Sequence, residues 1–248
     1  MDTIFSAKDI SLSFKYSRGL RGKKNPYKLF DGLNLEIKKG ESLAIVGRNG
    51  AGKSTLLRII AGIIEVDTGR VVNRAEAPSL LSLQAGFIPI LSGRENIFLS
   101  ATLLGLTHSE IQDNLQLIID YADIESHIEK PVSTYSSGMK ARLGFAIAMY
   151  GRADLVLIDE VLGVGDEEFR EKSSEAIHDM LHSDKTVVFV SHNKLAVESL
   201  CDRAVWLEYG RIVDSGEPVE VTKNYHRYTK ICNALANKYS VPSSKVRE

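Results

Sequence analysis

The consecutive residues Gly47-Arg48-Asn49-Gly50-Ala51-Gly52-Lys53-Ser54-Thr55 combine small positions, one lysine and two hydroxyls in the spacing G-x-x-x-x-G-K-[ST]. Such a loop binds phosphate. Its glycines let successive backbone N–H groups turn inward around phosphate oxygens, where a Cβ would intrude. Lys53 would reach the β- and γ-phosphates, and the Ser54 hydroxyl would join a Mg²⁺ shell. Three other groups have the types this chemistry needs. The run Asp154-Leu155-Val156-Leu157-Ile158 ends in Asp159-Glu160. An acid there can hold Mg²⁺ through water, and the next carboxylate can polarise a water for attack on the γ-phosphorus. Tyr135-Ser136-Ser137-Gly138-Met139 leads small residues into a helix start. That is a second anion site by the physics of exposed N–H groups, although taken alone it is an ordinary capped helix. His192 follows Ser191 at the end of another apolar run. From there an imidazole could hydrogen-bond the γ-phosphate or orient the attacking water, though a lone histidine at a strand end is more often structural.

The elements that must hold these groups are legible around them. Ser42-Leu43-Ala44-Ile45-Val46 reads as a buried strand before the loop, and Leu56, Leu57, Ile59 and Ile60 suit a helix packed on a sheet. That helix would turn its partly positive N-terminus to the phosphates. The runs at 154–158 and 186–190 are short, apolar and rich in β-branched residues, as in parallel strands covered on both faces. Ile10-Ser11-Leu12-Ser13-Phe14 and Leu33-Asn34-Leu35-Glu36-Ile37 alternate at period two. Between them the basic segment 17–26 reads as a solvated hairpin loop. Residues 92–150 change character to helix. Ser92-Gly93-Arg94-Glu95 and Thr107-His108-Ser109-Glu110 have capping-box form, and Ile111, Leu115, Ile118, Ile119 and Ala122 share one helical face. The segment 204–213 suggests an antiparallel hairpin closing one sheet edge. Beyond about 220 the chain is more basic, and no element is assigned there.

Composition narrows the function classes. The chain has 248 residues, and its 31 Lys and Arg against 32 acids leave a formal net charge of −1. That balance offers no overall basic field to a nucleic-acid backbone, so no nucleic-acid partner is expected. Cys201 and Cys232 are the only cysteines, without C-x-x-C spacing, which suggests neither a disulfide framework nor a zinc site. No run reaches the roughly 18 apolar residues of a membrane span, and the start of the chain lacks a signal-peptide core. A membrane role is therefore expected to come through a partner.

The order of phosphate loop, helical insert, serine-glycine signature, Asp-Glu strand and Ser-His strand resembles that of ATP-binding-cassette (ABC) ATPases over nearly the whole chain. The resemblance implies an α/β fold: a phosphate-loop NTPase core with a mixed sheet, an antiparallel β subdomain and a helical subdomain at about 92–150. It implies an ATPase domain over 1–222 with a C-terminal extension over 223–248, and no C-terminal carbohydrate-binding domain. ATP and Mg²⁺ are the implied cofactors, bound by Gly47, Arg48, Asn49, Gly50, Ala51, Gly52, Lys53, Ser54 and Thr55. Ser54, Asp159 and Gln84 are the implied metal ligands, with Leu83 an alternative for Gln84 because the spacing to Arg94-Glu95-Asn96 is one residue short. Glu160 and His192 would be catalytic. The signature Ser136, Ser137, Gly138 and Met139 would touch the nucleotide of a second, head-to-tail copy, and Asp166 would cross the dimer interface. An aromatic ring should stack on adenine, either Tyr16, with the better local context, or Tyr27. The departures of the signature, together with Gly93-Arg94-Glu95-Asn96-Ile97 and Asp159-Glu160-Val161-Leu162-Gly163-Val164-Gly165-Asp166, look like those of ATPase subunits of bacterial polysaccharide exporters. That implies a polytopic permease as partner, lipid-linked polysaccharide as cargo, and a place on the cytoplasmic face of the bacterial inner membrane. A non-transport cassette acting on DNA or the ribosome is the main alternative.

Overall fold

The computed structural model describes residues 2–16, 25–81, 87–159, 178, 185–191 and 193–239, with backbone alone at 15–16, 25–26, 81 and 235–239. Two sheets divide the work. A three-stranded antiparallel sheet, ordered β2-β1-β4, is built from β1 (Thr3–Tyr16), β2 (Asn25–Lys38) and β4 (Thr68–Asn73). A six-stranded sheet runs β5-β6-β7-β3-β8-β9. It comprises β3 (Ser42–Val46), β5 (Pro78–Leu81), β6 (Leu155–Ile158), β7 (Thr186–Val190), β8 (Arg203–Glu208) and β9 (Arg211–Gly216). All its neighbours pair in parallel except β8 and β9, the antiparallel hairpin expected at the edge. Every residue of β3, β6 and β7 is buried, which is why they read as unbroken apolar runs.

Parallel pairing places the C-terminal ends of β3, β6 and β7 along one edge of the sheet, where α/β folds bind ligands. From β3 the chain enters the phosphate loop and then α1 (Lys53–Ile60), whose Leu56, Leu57, Ile59 and Ile60 are buried. Polar clamps set the register of β3 at its other end. Ser42 N donates to Asp202 Oδ2 at 2.8 Å, and the Arg203 guanidinium forks onto the buried Glu41 carboxylate at 2.6 and 3.2 Å.

The helical block comprises α2 (Gly93–Leu103), α3 (His108–Ala122) and α4 (Ser137–Met149), with single 3₁₀ turns at Glu125–His127 and Val132–Thr134. Both expected capping boxes form: Ser92 with Glu95 and Thr107 with Glu110. The stripe Ile111, Leu115, Ile118, Ile119 and Ala122 is buried throughout, in a cluster with residues of α2 and α4. Helix α4 is apolar on two sides. Leu143, Ala146 and Ile147 face that cluster, while Phe145 and Ala148 pack on Val156, Ile158, Val187 and Phe189 of the sheet.

Three features differ from the sequence expectation. Asn25 and Pro26 belong to β2, so the basic connection is shorter than read. Strands β4 and β5 carry no clear apolar alternation; β4 is an exposed edge stabilised by its ladder with β1. The residues past 217, where the sequence alone assigns no element, form α6 (Pro218–Tyr239), which follows α5 (Lys194–Leu200) and β9. Val221, Tyr225 and Tyr228 pack on Trp206, tying this helix to the sheet. Both cysteines are free, and burial pushes the Cys201 thiol up to about 12. Among the described residues no helix is long and apolar enough to cross a membrane.

Candidate nucleotide site

The phosphate loop is held from two directions by residues far away in sequence. A Cβ on Gly47 would lie 2.1 Å from the Leu207 carbonyl oxygen of β8, so no side chain fits where the loop leaves β3. Gly52 caps α1 at φ +104°, and a Cβ there would meet the Phe30 ring at 2.8 Å. Both glycines are thus required by close approach as well as by conformation. No side chain caps α1, and no acid stands in its first turn, so its leading N–H groups and positive dipole end face the loop.

Lys53 is buried, 7% exposed, and its ammonium donates to the carbonyls of Gly47 and Arg48 at 2.7 and 3.1 Å. The loop therefore folds around its own cation, which is aimed before any phosphate arrives. A cleft of about 860 Å³ opens beside it, lined by Phe14, Tyr27, Leu29, Asn49, Gly50, Gly52, Lys53, Ser54, Thr55 and Asp159. One wall is backbone N–H, hydroxyl and cation. The rest of the lining is aromatic and aliphatic. A ligand with a polyphosphate tail and a flat apolar ring matches both.

Phe14 and Tyr27 stand opposite each other in the β1–β2 ladder, which puts both rings at the cleft. The side chain of Tyr16, the other aromatic expected at adenine, lies outside the described residues, as do Gln84, its alternative Leu83, Glu160, Asp166 and His192. Their described neighbours are informative: Asp159 follows β6 and lines the cleft, and Ser191 follows β7 and is buried. Ser54 from the first turn of α1 and Asp159 from the end of β6 thus reach one cleft, and their oxygens suit a hard divalent cation. The lining also holds two residues that sequence reasoning missed, Phe14 and Leu29, and Phe30 is buried against Gly52. Only alternation in Leu12-Ser13-Phe14 hinted at them.

The signature is elsewhere. Ser136 is the N-cap of α4, its Oγ accepting from Met139 N at 3.1 Å. A hydroxyl used as acceptor keeps its proton, so Ser136 can still donate to an anion. Ser137 and Gly138 begin the helix, and Gly138 has nothing nearer than 3.7 Å to an added Cβ. None of Ser136, Ser137, Gly138 and Met139 is among the residues lining the cleft of the same chain.

With this geometry in view, residues 30–163 match the family model described as ABC transporter. The chain belongs to the ABC transporter family. It is 42% identical over 206 residues to the O-antigen export system ATP-binding protein RfbB of Klebsiella pneumoniae, covering 83% of each chain. It is 45% identical over 199 residues to the teichoic acids export ATP-binding protein TagH of Levilactobacillus brevis, covering 80% of this chain and 55% of that protein. Among solved structures, an ATP-binding subunit of an ABC transporter superposes with a TM-score of 0.74 at 21% identity, over 94% of this chain and 99% of its own. A dimeric post-hydrolysis ATP-binding cassette bound to ADP and Pi superposes at 0.71 with 21% identity, over 86% and 98%. These two likenesses establish the cassette fold for the ABC chain described here.

Proposed function

We propose that this chain is the ATP-hydrolysing subunit of an ABC exporter that drives a lipid-linked polysaccharide, of O-antigen, capsule or teichoic-acid type, across the cytoplasmic membrane. The observation that carries the reading is Lys53, Ser54, Thr55 and Asp159 converging on one cleft, in a chain so close to O-antigen and teichoic-acid export proteins. The adenine would stack on Tyr27, with Phe14 beside it. The loop N–H groups and Lys53 would take the phosphates. Ser54 and Asp159, with Gln84, would hold Mg²⁺, which when bound neutralises phosphate charge.

Two copies would close head to tail, so that Ser136 and Gly138 of one donate to the γ-phosphate on the other's loop. The signature's absence from its own chain's cleft supports this arrangement. Glu160 would take a proton from water as its oxygen attacks the γ-phosphorus and the bond to the β–γ bridging oxygen breaks, leaving ADP and phosphate. His192 would hydrogen-bond the γ-phosphate, and Asp166 would cross between the copies. Closure excludes water, so these donors act at low dielectric, where preorganised charge stabilises most. The permease supplies the membrane span, placing this subunit peripherally on the cytoplasmic face.

Glu160→Gln tests the reading. It should abolish turnover and, with ATP and Mg²⁺, trap a dimer that sizing chromatography resolves from the monomer; unchanged steady-state hydrolysis would remove Glu160 from its role. Affinity capture from membranes separates export from the rival: a polytopic permease supports it, whereas ribosomes or DNA support a non-transport cassette.

A further inference from the structure

Asn96 is fully buried in the first turn of α2, and its amide is spent entirely on the chain turn that precedes the helix. Oδ1 accepts from Ile88 N at 2.8 Å. Nδ2 donates to the carbonyls of Ile88, Leu91 and Ser92 at 3.2, 3.2 and 2.9 Å. Two amide hydrogens thus serve three acceptors, and only one orientation of the side chain satisfies the set. The outer side of this turn is a solvent-facing apex, with Ile90 81% exposed.

The same turn is zipped to the segment that leads into α4. Val132 N donates to Leu91 O and Ser133 N to Pro89 O, both at 2.9 Å. Below them Gly93 N donates to Lys130 O at 3.3 Å and Arg94 N to Ile128 O at 3.0 Å. Tyr135 closes the joint. Its N donates to Val132 O at 3.1 Å and its hydroxyl to His127 O at 2.7 Å. A Cβ on Gly93 would lie 2.2 Å from that hydroxyl, so there is no slack between α2 and Tyr135. Ser136, the N-cap of α4, is the next residue.

We infer that Asn96 is a positioning residue for Ser136. By holding the 88–92 turn it sets where the 131–135 segment delivers the serine. Displacement of the Ile90 apex therefore reaches the tip of α4 through hydrogen bonds rather than through the apolar cluster of the insert. The inference rests on the proposal that Ser136 meets the nucleotide of a second copy. An apolar residue of the same size would take away the acceptor of Ile88 N and the side-chain tie between the 88–92 turn and α2, while Ile88 O, Leu91 O and Ser92 O would keep only their backbone donors Leu91 N, Val132 N and Asn96 N.

The test is Asn96→Asp in the full chain, which keeps the shape and the Oδ1 acceptor and removes the two amide donors. Amide exchange at Val132, Ser133 and Tyr135 should quicken by about 10-fold while α3 stays protected. ADP affinity should hold, and kcat for ATP should fall by about 10-fold. Wild-type exchange at those amides, loss of protection throughout α3, or an unchanged kcat would each overturn the role. Gly93→Ala presses on Tyr135 without touching the Asn96 bonds and should lower kcat likewise; wild-type turnover there overturns the link even if Asn96→Asp does not fold. Ser136→Ala, measured alongside, separates the two ideas. If it hydrolyses ATP normally the proposed signature contact is wrong, while the exchange data still judge the linkage from Asn96.

Discussion

Around Lys53, position is imposed by buried strands and by backbone from remote parts of the chain; around Ser136 it is imposed by caps and short hydrogen-bonded turns. The cluster under the phosphate loop draws on residues from Ile4 to Leu207, including β1, β2, β3, α1, β6, β7 and β8. The buried cluster of the helical block lies wholly between Ile97 and Ile147. The first region is long-range and interlocked, so the loop cannot shift without breaking the sheet. The second is local, joined to the sheet mainly through Phe145 and Ala148 on the far side of α4. A block with its own core can move as a body, because interfaces yield before packed interiors do. The contrast separates a half in which remote strands fix the phosphate loop from a half whose local caps and turns fix the tip of α4.

Four measurements would break or sharpen this contrast. Lys53→Ala removes the buried cation of the rigid half, and ATP hydrolysis should fall by at least ~10²-fold with the thermal melt little changed. Ile118→Ala opens a cavity in the helical half and should cost ~2–5 kcal/mol there. Its effect should appear as lost exchange protection in α2 and α3, with ADP affinity retained. If ADP binding collapses too, the two halves are one cooperative unit and the contrast fails. Tyr27→Ala should weaken ATP binding by roughly 10-fold, the size of one base–aromatic stack, whereas Tyr16→Ala should not. The reverse ranking in a titration would assign adenine to Tyr16.

The smallest effect concerns the caps. Thr107→Ala should destabilise the helical block by ~1 kcal/mol. It should also flatten the acid limb of the block's stability. Bonds from the Thr107 backbone N–H and hydroxyl, aided by Arg152, hold the Glu110 carboxyl below its usual range. Glu95 is lowered in the same way by Ser92. A carboxyl depressed in the folded state contributes stability at neutral pH that is lost as pH falls through its depressed value. Acid should therefore loosen α2 and α3 in the wild type more steeply than in the Thr107→Ala variant, as followed by circular dichroism against pH.

Much of the site was legible in the residues because its signals are local. The glycine-lysine-serine spacing, the capping boxes at Ser92 and Thr107, and the stripe from Ile111 to Ala122 depend on neighbours within a few positions. They need no knowledge of the rest of the chain. Helix α6 had a readable stripe in Val221, Tyr225 and Tyr228, but its partner Trp206 is in a different element. The local pattern alone did not say what it would cover.

What the amino-acid order determined by itself was the phosphate loop, the helix starts, the buried strands and the family they compose. Tertiary structure alone decided that Leu207 and Phe30 forbid a side chain at Gly47 and Gly52, and that Phe14 and Tyr27 meet at the cleft. It also decided that the 88–92 turn held by Asn96 is bonded to the segment before Ser136. The reason is register. The β1–β2 ladder is interrupted by irregularities, each of which changes the side a residue faces, and no local pattern reports that offset.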